Sequence, residues 1–222
     1  TIPTVIYILV AGGALNAVFV PQIVREMKKS NGGHSFVSQL ATATFTILAV
    51  ATAIGVIAAP LVVRLYAAKF GGSGLENEFE LTVLFTRYCL PQIFFLGLFT
   101  MLGQVANARG SFAPLMWAPI ANNLVVIVVF AGVLVMQKEL SVGNISDGQI
   151  QLLGWGTTLG IVVQALILIP VVKRSGIRLR PIFGVAGLGK SFSLAGWTLV
   201  YVLISQIGYL ITVNVATSAA VR

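Results

Sequence analysis

The sequence predicts an all-α polytopic membrane protein with six transmembrane helices, and three observations predict it. First, 57% of the 222 residues are apolar and only 9% are charged, against roughly 45–50% and about 25% in soluble domains. Mean hydropathy is +0.96. Second, the apolar residues fall into runs long enough to cross about 30 Å of hydrocarbon, which takes roughly 20 helical residues. Third, almost every charge lies between the runs. Twenty ionised groups are too few to cover a soluble globule of this size. An ordinary soluble enzyme, a disordered tail and a disulfide-stapled secreted domain are therefore excluded. A β-barrel needs runs of about 10 residues alternating polar and apolar, and these runs are longer and continuously apolar.

The predicted helices span residues 2–24, 36–66, 81–106, 114–136, 150–172 and 191–220, within one membrane lobe covering 1–222. The first contains Gly12-Gly13, with Asn16 one turn on and Pro21 near its end. The second is long enough to tilt or to protrude from the bilayer. The third contains Arg87 and Pro91-Gln92, and ends at Asn107-Ala108-Arg109-Gly110. The fourth opens with Pro114 and carries Pro119, Asn122 and Asn123. The sixth carries Ser205-Gln206, Thr212 and Asn214. Turn chemistry separates them at Ser30-Asn31-Gly32-Gly33, Gly71-Gly72-Ser73-Gly74, Arg109-Gly110-Ser111 and 141–148. The chain begins at Thr1 and ends at Arg222, each against an apolar run, and reads as a piece of a larger protein.

Loop charges orient the bundle. With Thr1 outside, nine cations lie in inner loops: Arg25, Lys28, Lys29, Arg109, Lys173, Arg174, Arg178, Arg180 and Lys190. Arg64, Lys69 and Lys138 lie outside, so the positive-inside rule places Thr1 there. The net charge of +8 is then a topology signal beside anionic headgroups, with no nucleic-acid partner implied. Cys89 and His34 are the only residues of their types, so the chain holds no disulfide and no Cys- or His-based metal cluster. No catalytic triad, P-loop, dinucleotide fingerprint or EF-hand is present, and neither an enzyme nor a cofactor is expected.

Charge inside a membrane is costly and marks function. No acid lies mid-span, and Arg87 is the one cation well inside a run. Either it snorkels to the outer headgroups, or it lines an outward-facing cavity for an anionic substrate. Gly12 and Gly13 allow close helix packing or a hinge, and Pro21 bends the exit of the same helix. Asn16, Gln206 and Asn214 either hydrogen-bond neighbouring helices or face a hydrated cavity. Gln206 and Asn214 are eight apart and share a helix face. Asn122 and Asn123 are expected to bridge helices, and the tryptophans to anchor span ends.

Several blocks carry a resemblance. Ala11-Gly12-Gly13-Ala14-Leu15 followed by Ala17-Val18-Phe19-Val20-Pro21 resembles the AEGAFSQAFVP-like stretch in the second helix of the MurJ/MviN family. Residues 103–114, from Gly103-Gln104 through Asn107-Ala108-Arg109-Gly110 to Pro114, resemble that family's GAxLNAxxRFxxPA turn. Ala118-Pro119 and Asn123 continue it as the family's APxxxN does. Ser205-Gln206-Ile207 is similar to the SQI of the seventh helix. The resemblance covers helices two to seven of the family.

It implies most of the N-terminal lobe of a roughly fourteen-helix, two-lobe transporter in the bacterial plasma (inner) membrane. The implied activity is flipping lipid II, the peptidoglycan precursor, to the outer leaflet by alternating access. The implied partners are lipid II itself, membrane lipids and cell-wall synthesis proteins. Asn16, Arg87, Gln206 and Asn214 would then contact substrate. Three departures stand out. Tyr7 and Ile8 occupy positions where the family commonly has arginines, Gly12 replaces its glutamate, and Thr212 stands where some members have a cation-linked acid. Two rival readings are another exporter of the same superfamily, for drugs or a different lipid-linked glycan, and a non-transporting membrane scaffold.

Overall fold

A computed structural model describes residues 34–66, 76–136, 147–176 and 179–184, together with Arg25 and isolated positions between 189 and 208. The predicted helix at 2–24 and most of 191–220 lie outside the described residues, and the described positions within 191–220 are helical. Among the described residues all regular structure is α-helical, in seven segments. These are α1 (His34–Ile57), α2 (Ala59–Tyr66), α3 (Glu76–Cys89), α4 (Gln92–Ala108), α5 (Ala113–Met136), α6 (Asp147–Leu166) and α7 (Leu168–Arg174).

Four helical stretches are long and apolar enough to cross a bilayer: Ser35–Ile57, Phe79–Ala108, Ala113–Val135 and Gly148–Arg174. They overlap the segments predicted at 36–66, 81–106, 114–136 and 150–172. Two boundaries differ. The segment 36–66 is interrupted at Ala58, and α3 starts at Glu76, with Glu76, Glu78 and Glu80 inside the helix. The helix therefore begins in a polar stretch, ahead of its apolar run.

Prolines account for three interruptions. Each lacks an N–H and leaves the carbonyl four residues back without its helical donor. Pro60 follows the break at Ala58, although Ala58 N–H still donates to the Ile54 carbonyl (2.8 Å) and Val62 N–H to that of Ala58 (3.0 Å). Pro91 separates α3 from α4, and the chain tightens there as Ile93 N–H donates to the Leu90 carbonyl (3.0 Å). Pro170 follows the break between α6 and α7 at Ile167. Pro119 sits inside α5 without interrupting it.

The turn from α4 to α5 closes in a Schellman pattern. Gly110 adopts φ +79°, its N–H donates to the Asn107 carbonyl (2.9 Å), and Ser111 N–H donates to that of Ala106 (3.0 Å). Pro114 then sits in the first turn of α5, where its missing N–H costs nothing.

The Phe79–Ala108 stretch is central. Of its most apolar 18 residues 56% are buried, against 11% for Ala113–Val135, which presents Met116, Trp117, Leu124, Ile127 and Val128 outward. The core gathers Leu40 and Leu48 of α1, Val63 of α2, Ile93, Met101, Leu102 and Val105 of α4, and Leu168 and Val172 of α7. Lipid tails are as apolar as these side chains, so association rests on close packing rather than on escape from water.

Glycines set that packing. Gly156 and Gly160, four apart on α6, face Val129 and Asn122 of α5. Gly97 of α4 receives Leu48, Gly103 receives Leu115, and Gly154 of α6 lies against Tyr88. A Cβ at Gly160 would meet the Asn122 side chain and, at 3.1 Å, its backbone oxygen. Gly160→Ala should therefore cost about 1–3 kcal/mol through overpacking, measured by unfolding in mixed micelles. Gly132→Ala, where a Cβ meets nothing within 4 Å, should be neutral or slightly stabilising.

Candidate functional site

The kink at Leu90–Pro91 carries a buried polar cluster inside the membrane-spanning region. Gln92, the first residue of α4, donates through Nε2 to Thr157 Oγ1 (3.2 Å) and Thr158 Oγ1 (3.1 Å) on α6. Thr158 donates onward to the Tyr88 carbonyl (2.8 Å), and Thr157 to the Gly154 carbonyl (3.0 Å). Each threonine hydroxyl thus accepts from Gln92 and donates its one proton to a backbone carbonyl. The proline break exposes backbone carbonyls at this level, and α6 supplies the donor that Tyr88 needs. The Tyr88 ring also packs on Trp155, centroids 5.6 Å apart. This cluster ties both halves of the kinked span to α6. It contributes rigidity and position rather than reactivity.

A second feature is a cleft at the other end of α4. Neighbouring spans pack antiparallel, as the contacts of Gly156 with Val129 and Gly160 with Asn122, and of Gly97 with Leu48 and Gly55 with Leu90, show, so His34, Arg109 and Lys173-Arg174 lie at one membrane face. Glu76, Asp147 and Arg64 lie at the opposite one. At the first face residues 179–184 run extended along α1. Arg180 N–H donates to Ser38 Oγ (3.4 Å) and Ile182 N–H to Thr42 Oγ1 (3.1 Å). Between this segment, α1, α4 and α7 lie two cavities of about 540 and 720 Å³. Both are bounded by Phe45, Leu179 and Arg180, and Lys173 lines the larger. The walls suit an amphiphile, with hydrocarbon contacts inside and two cations at the edge.

Of the residues predicted to form a site, Arg87 is the one the structure describes. It lies in the last turn of α3, exposed, eleven residues beyond Glu76 and four before Pro91. Its guanidinium lies on the same helix face as Glu80, seven residues earlier. Neither the polar cluster nor the cleft includes it. Gly12, Gly13, Asn16, Pro21, Gln206 and Asn214 lie outside the described residues. Asn122 does reach α6, but by packing on Gly160. Its Oδ1 is buried without a hydrogen-bond partner among the described residues, and Asn123 is exposed. Among the described residues no group of three or more His, Cys, Asp or Glu is gathered as a metal site.

The sequence did not single out Thr157, Thr158, Lys173 or Arg180 as site residues. The Thr-Thr pair between Gly156 and Gly160 is a usable signal, since small and hydroxylic residues are enriched where membrane helices meet.

Four long apolar helices, a proline kink mended by an interhelical hydrogen bond and glycine-mediated packing define an all-α, multi-pass membrane protein. Its family follows from comparison. The model of the lipid II flippase MurJ family matches residues 1–221, and the chain belongs to that family. Similar proteins carry the name "Probable lipid II flippase MurJ". The one from Vibrio cholerae is 27% identical over 191 residues, covering 82% of this chain and 34% of that protein. The one from Buchnera aphidicola is 27% identical over 193 residues, covering 85% and 35%. The one from Rhizobium tropici is 31% identical over 121 residues, covering 54% and 22%. The chain thus spans about a third of the length of the first two relatives.

The polar cluster yields a measurable coupling. Gln92→Leu and Thr158→Val should each destabilise the protein in micelles. The double mutant should reveal a coupling of about 0.6 kcal/mol and at most about 1.7 kcal/mol, the mean and upper limit for interhelical hydrogen bonds in membranes. A coupling near zero would mean that the two side chains do not stabilise the kink together.

Proposed function

We propose that this chain forms one wall of a lipid II flippase, which carries the peptidoglycan precursor from the inner to the outer leaflet by alternating access. The observation that carries this reading is the MurJ family match over residues 1–221. The physical problem is a diphosphate headgroup that must cross hydrocarbon while its polyprenyl tail stays in lipid. An isolated buried charge costs tens of kcal/mol in a low-dielectric medium. The path must therefore be hydrated, lined by cations and open sideways to the tail.

In this reading the chain contributes most of an N-terminal lobe of six helices, facing a second lobe in a fourteen-helix transporter. Rocking of one lobe against the other opens the path to each side in turn. Asn16, Arg87, Gln206 and Asn214 face the path and contact substrate. Gly12 and Gly13 form a hinge, with Pro21 bending the same helix. Helices tied together as α3, α4 and α6 are would move as a unit, which is what rocking requires. The protein sits in the bacterial plasma (inner) membrane with Arg109 and Lys173-Arg174 on the cytoplasmic side, and works beside cell-wall synthesis proteins.

Depletion of the protein in cells without a redundant flippase should reduce lipid II exposed on the outer leaflet. Unchanged exposure would refute the substrate assignment. Orientation is tested separately in a Cys89→Ala background. A membrane-impermeant maleimide should label Asn77→Cys in intact cells and Ser111→Cys only after permeabilisation, and the reverse pattern would invert the topology.

A further inference from the structure

The two cavities beside α1 and α7 meet at Arg180, and their shape and charge describe one ligand. The smaller follows α1 from Ser38 to Val50, a rise of roughly 18 Å at 1.5 Å per residue. The larger runs between α4 and α7, walled by Leu98, Leu102, Ile169 and Val172. Each has a volume within the range of about 300–1,000 Å³ usual for small-molecule sites. Phe45 and Leu179 border both branches.

The charge is confined to the mouth. Lys173 and Arg180 are the charged lining residues, both exposed, and neither has an acidic partner among the described residues. The acids Glu76, Glu78, Glu80 and Asp147 begin α3 and α6 at the opposite membrane face. Deeper in, the hydroxyl protons are already used. Thr42 donates to the Ser38 carbonyl and Thr46 to that of Thr42, each at 2.8 Å.

We propose that this forked cleft binds an anionic diacyl phospholipid of the membrane leaflet at that face, as a site separate from the transport path. The phosphate sits between Lys173 and Arg180, and one acyl chain enters each branch. A free phosphate would leave the apolar walls unused. A peptide would bury backbone groups against walls that offer few partners. A single-chain polyprenyl lipid would fill one branch only. The strap at 179–184, held by Ser38 and Thr42, fixes Arg180 where the branches join.

The test titrates the purified protein carrying this chain, in neutral detergent, with dioleoyl phosphatidylglycerol or dioleoyl phosphatidylcholine, read by native mass spectrometry. Phosphatidylglycerol should bind more tightly. Lys173→Gln with Arg180→Gln should weaken it roughly thirty-fold, about fivefold for each basic residue at a membrane surface, and leave phosphatidylcholine binding unchanged. Ala49→Trp, which fills the α1 branch without touching charge, should weaken both lipids. Val50→Trp, placed at the exposed rim, serves the same end if Ala49→Trp lowers the melting temperature. Inorganic phosphate at millimolar concentration should not displace the lipid. Equal affinity for the two lipids, wild-type binding by the charge variant or by the folded tryptophan variant, or displacement by phosphate would each overturn the proposal. Binding is read without transport, so failure here is distinguishable from failure of the flippase reading.

Discussion

Inside hydrocarbon no water can take up a broken backbone hydrogen bond, and each unsatisfied group costs several kcal/mol. That constraint organises the described structure. Prolines break the helical ladder at Ala58, Leu90–Pro91 and Ile167, and each break needs help from within the protein. At the middle one the help comes from another helix: Thr158 donates to the Tyr88 carbonyl while accepting from Gln92. A kink that would weaken an isolated span thereby becomes the point where two spans are fastened.

The same solvent removes the usual reason for helices to associate. What remains is contact, and contact depends on how closely backbones approach. Gly156 and Gly160 let α5 lie on α6, Gly154 admits Tyr88, and Gly97 admits Leu48. Gly154, Gly156 and Gly160 occupy the same stretch of α6 as Thr157 and Thr158. Close approach at Gly154 brings the hydroxyls within reach of α3 and α4, and the hydrogen bonds then favour that one register over others of similar packing energy. Gly154 joins packing to polar pairing on the α3–α4 side of α6, while Gly156 and Gly160 serve its α5 side by packing.

This division explains how much the sequence conveys. Helix class, the four described spans and the glycine-proline turn after α4 follow from local information: apolar run length, Gly110 and Pro114. The interruption at Ala58 was less legible, because apolar residues continue through Pro60 to Tyr66 and length alone suggests one tilted helix. The polar cluster was illegible as a cluster, since Gln92 and Thr158 are 66 residues apart and each looks like an ordinary interhelical residue. Lys173 and Arg180 read as topology signals. Only the extended strap along α1 shows that they share the mouth of a cleft.

Electrostatics limits what this wall can do alone. A unit charge pair at 4 Å is worth at most about 20 kcal/mol at a dielectric of about 4, no more than the cost of desolvating one of its two ions in that medium. Taking an isolated ionised group out of water costs tens of kcal/mol in a low-dielectric medium. Arg87, the one cation set well into a described span, therefore falls far short of holding a diphosphate in a dry site. A headgroup beside this wall must stay hydrated, or meet further cations from the facing side. The basic residues at the opposite end of the spans act at headgroup level, where water and lipid phosphates already meet. The charge pattern of the described spans thus gathers cations at headgroup level and leaves Arg87 alone deeper in, so the proposed passage of a diphosphate would need cations from a facing wall.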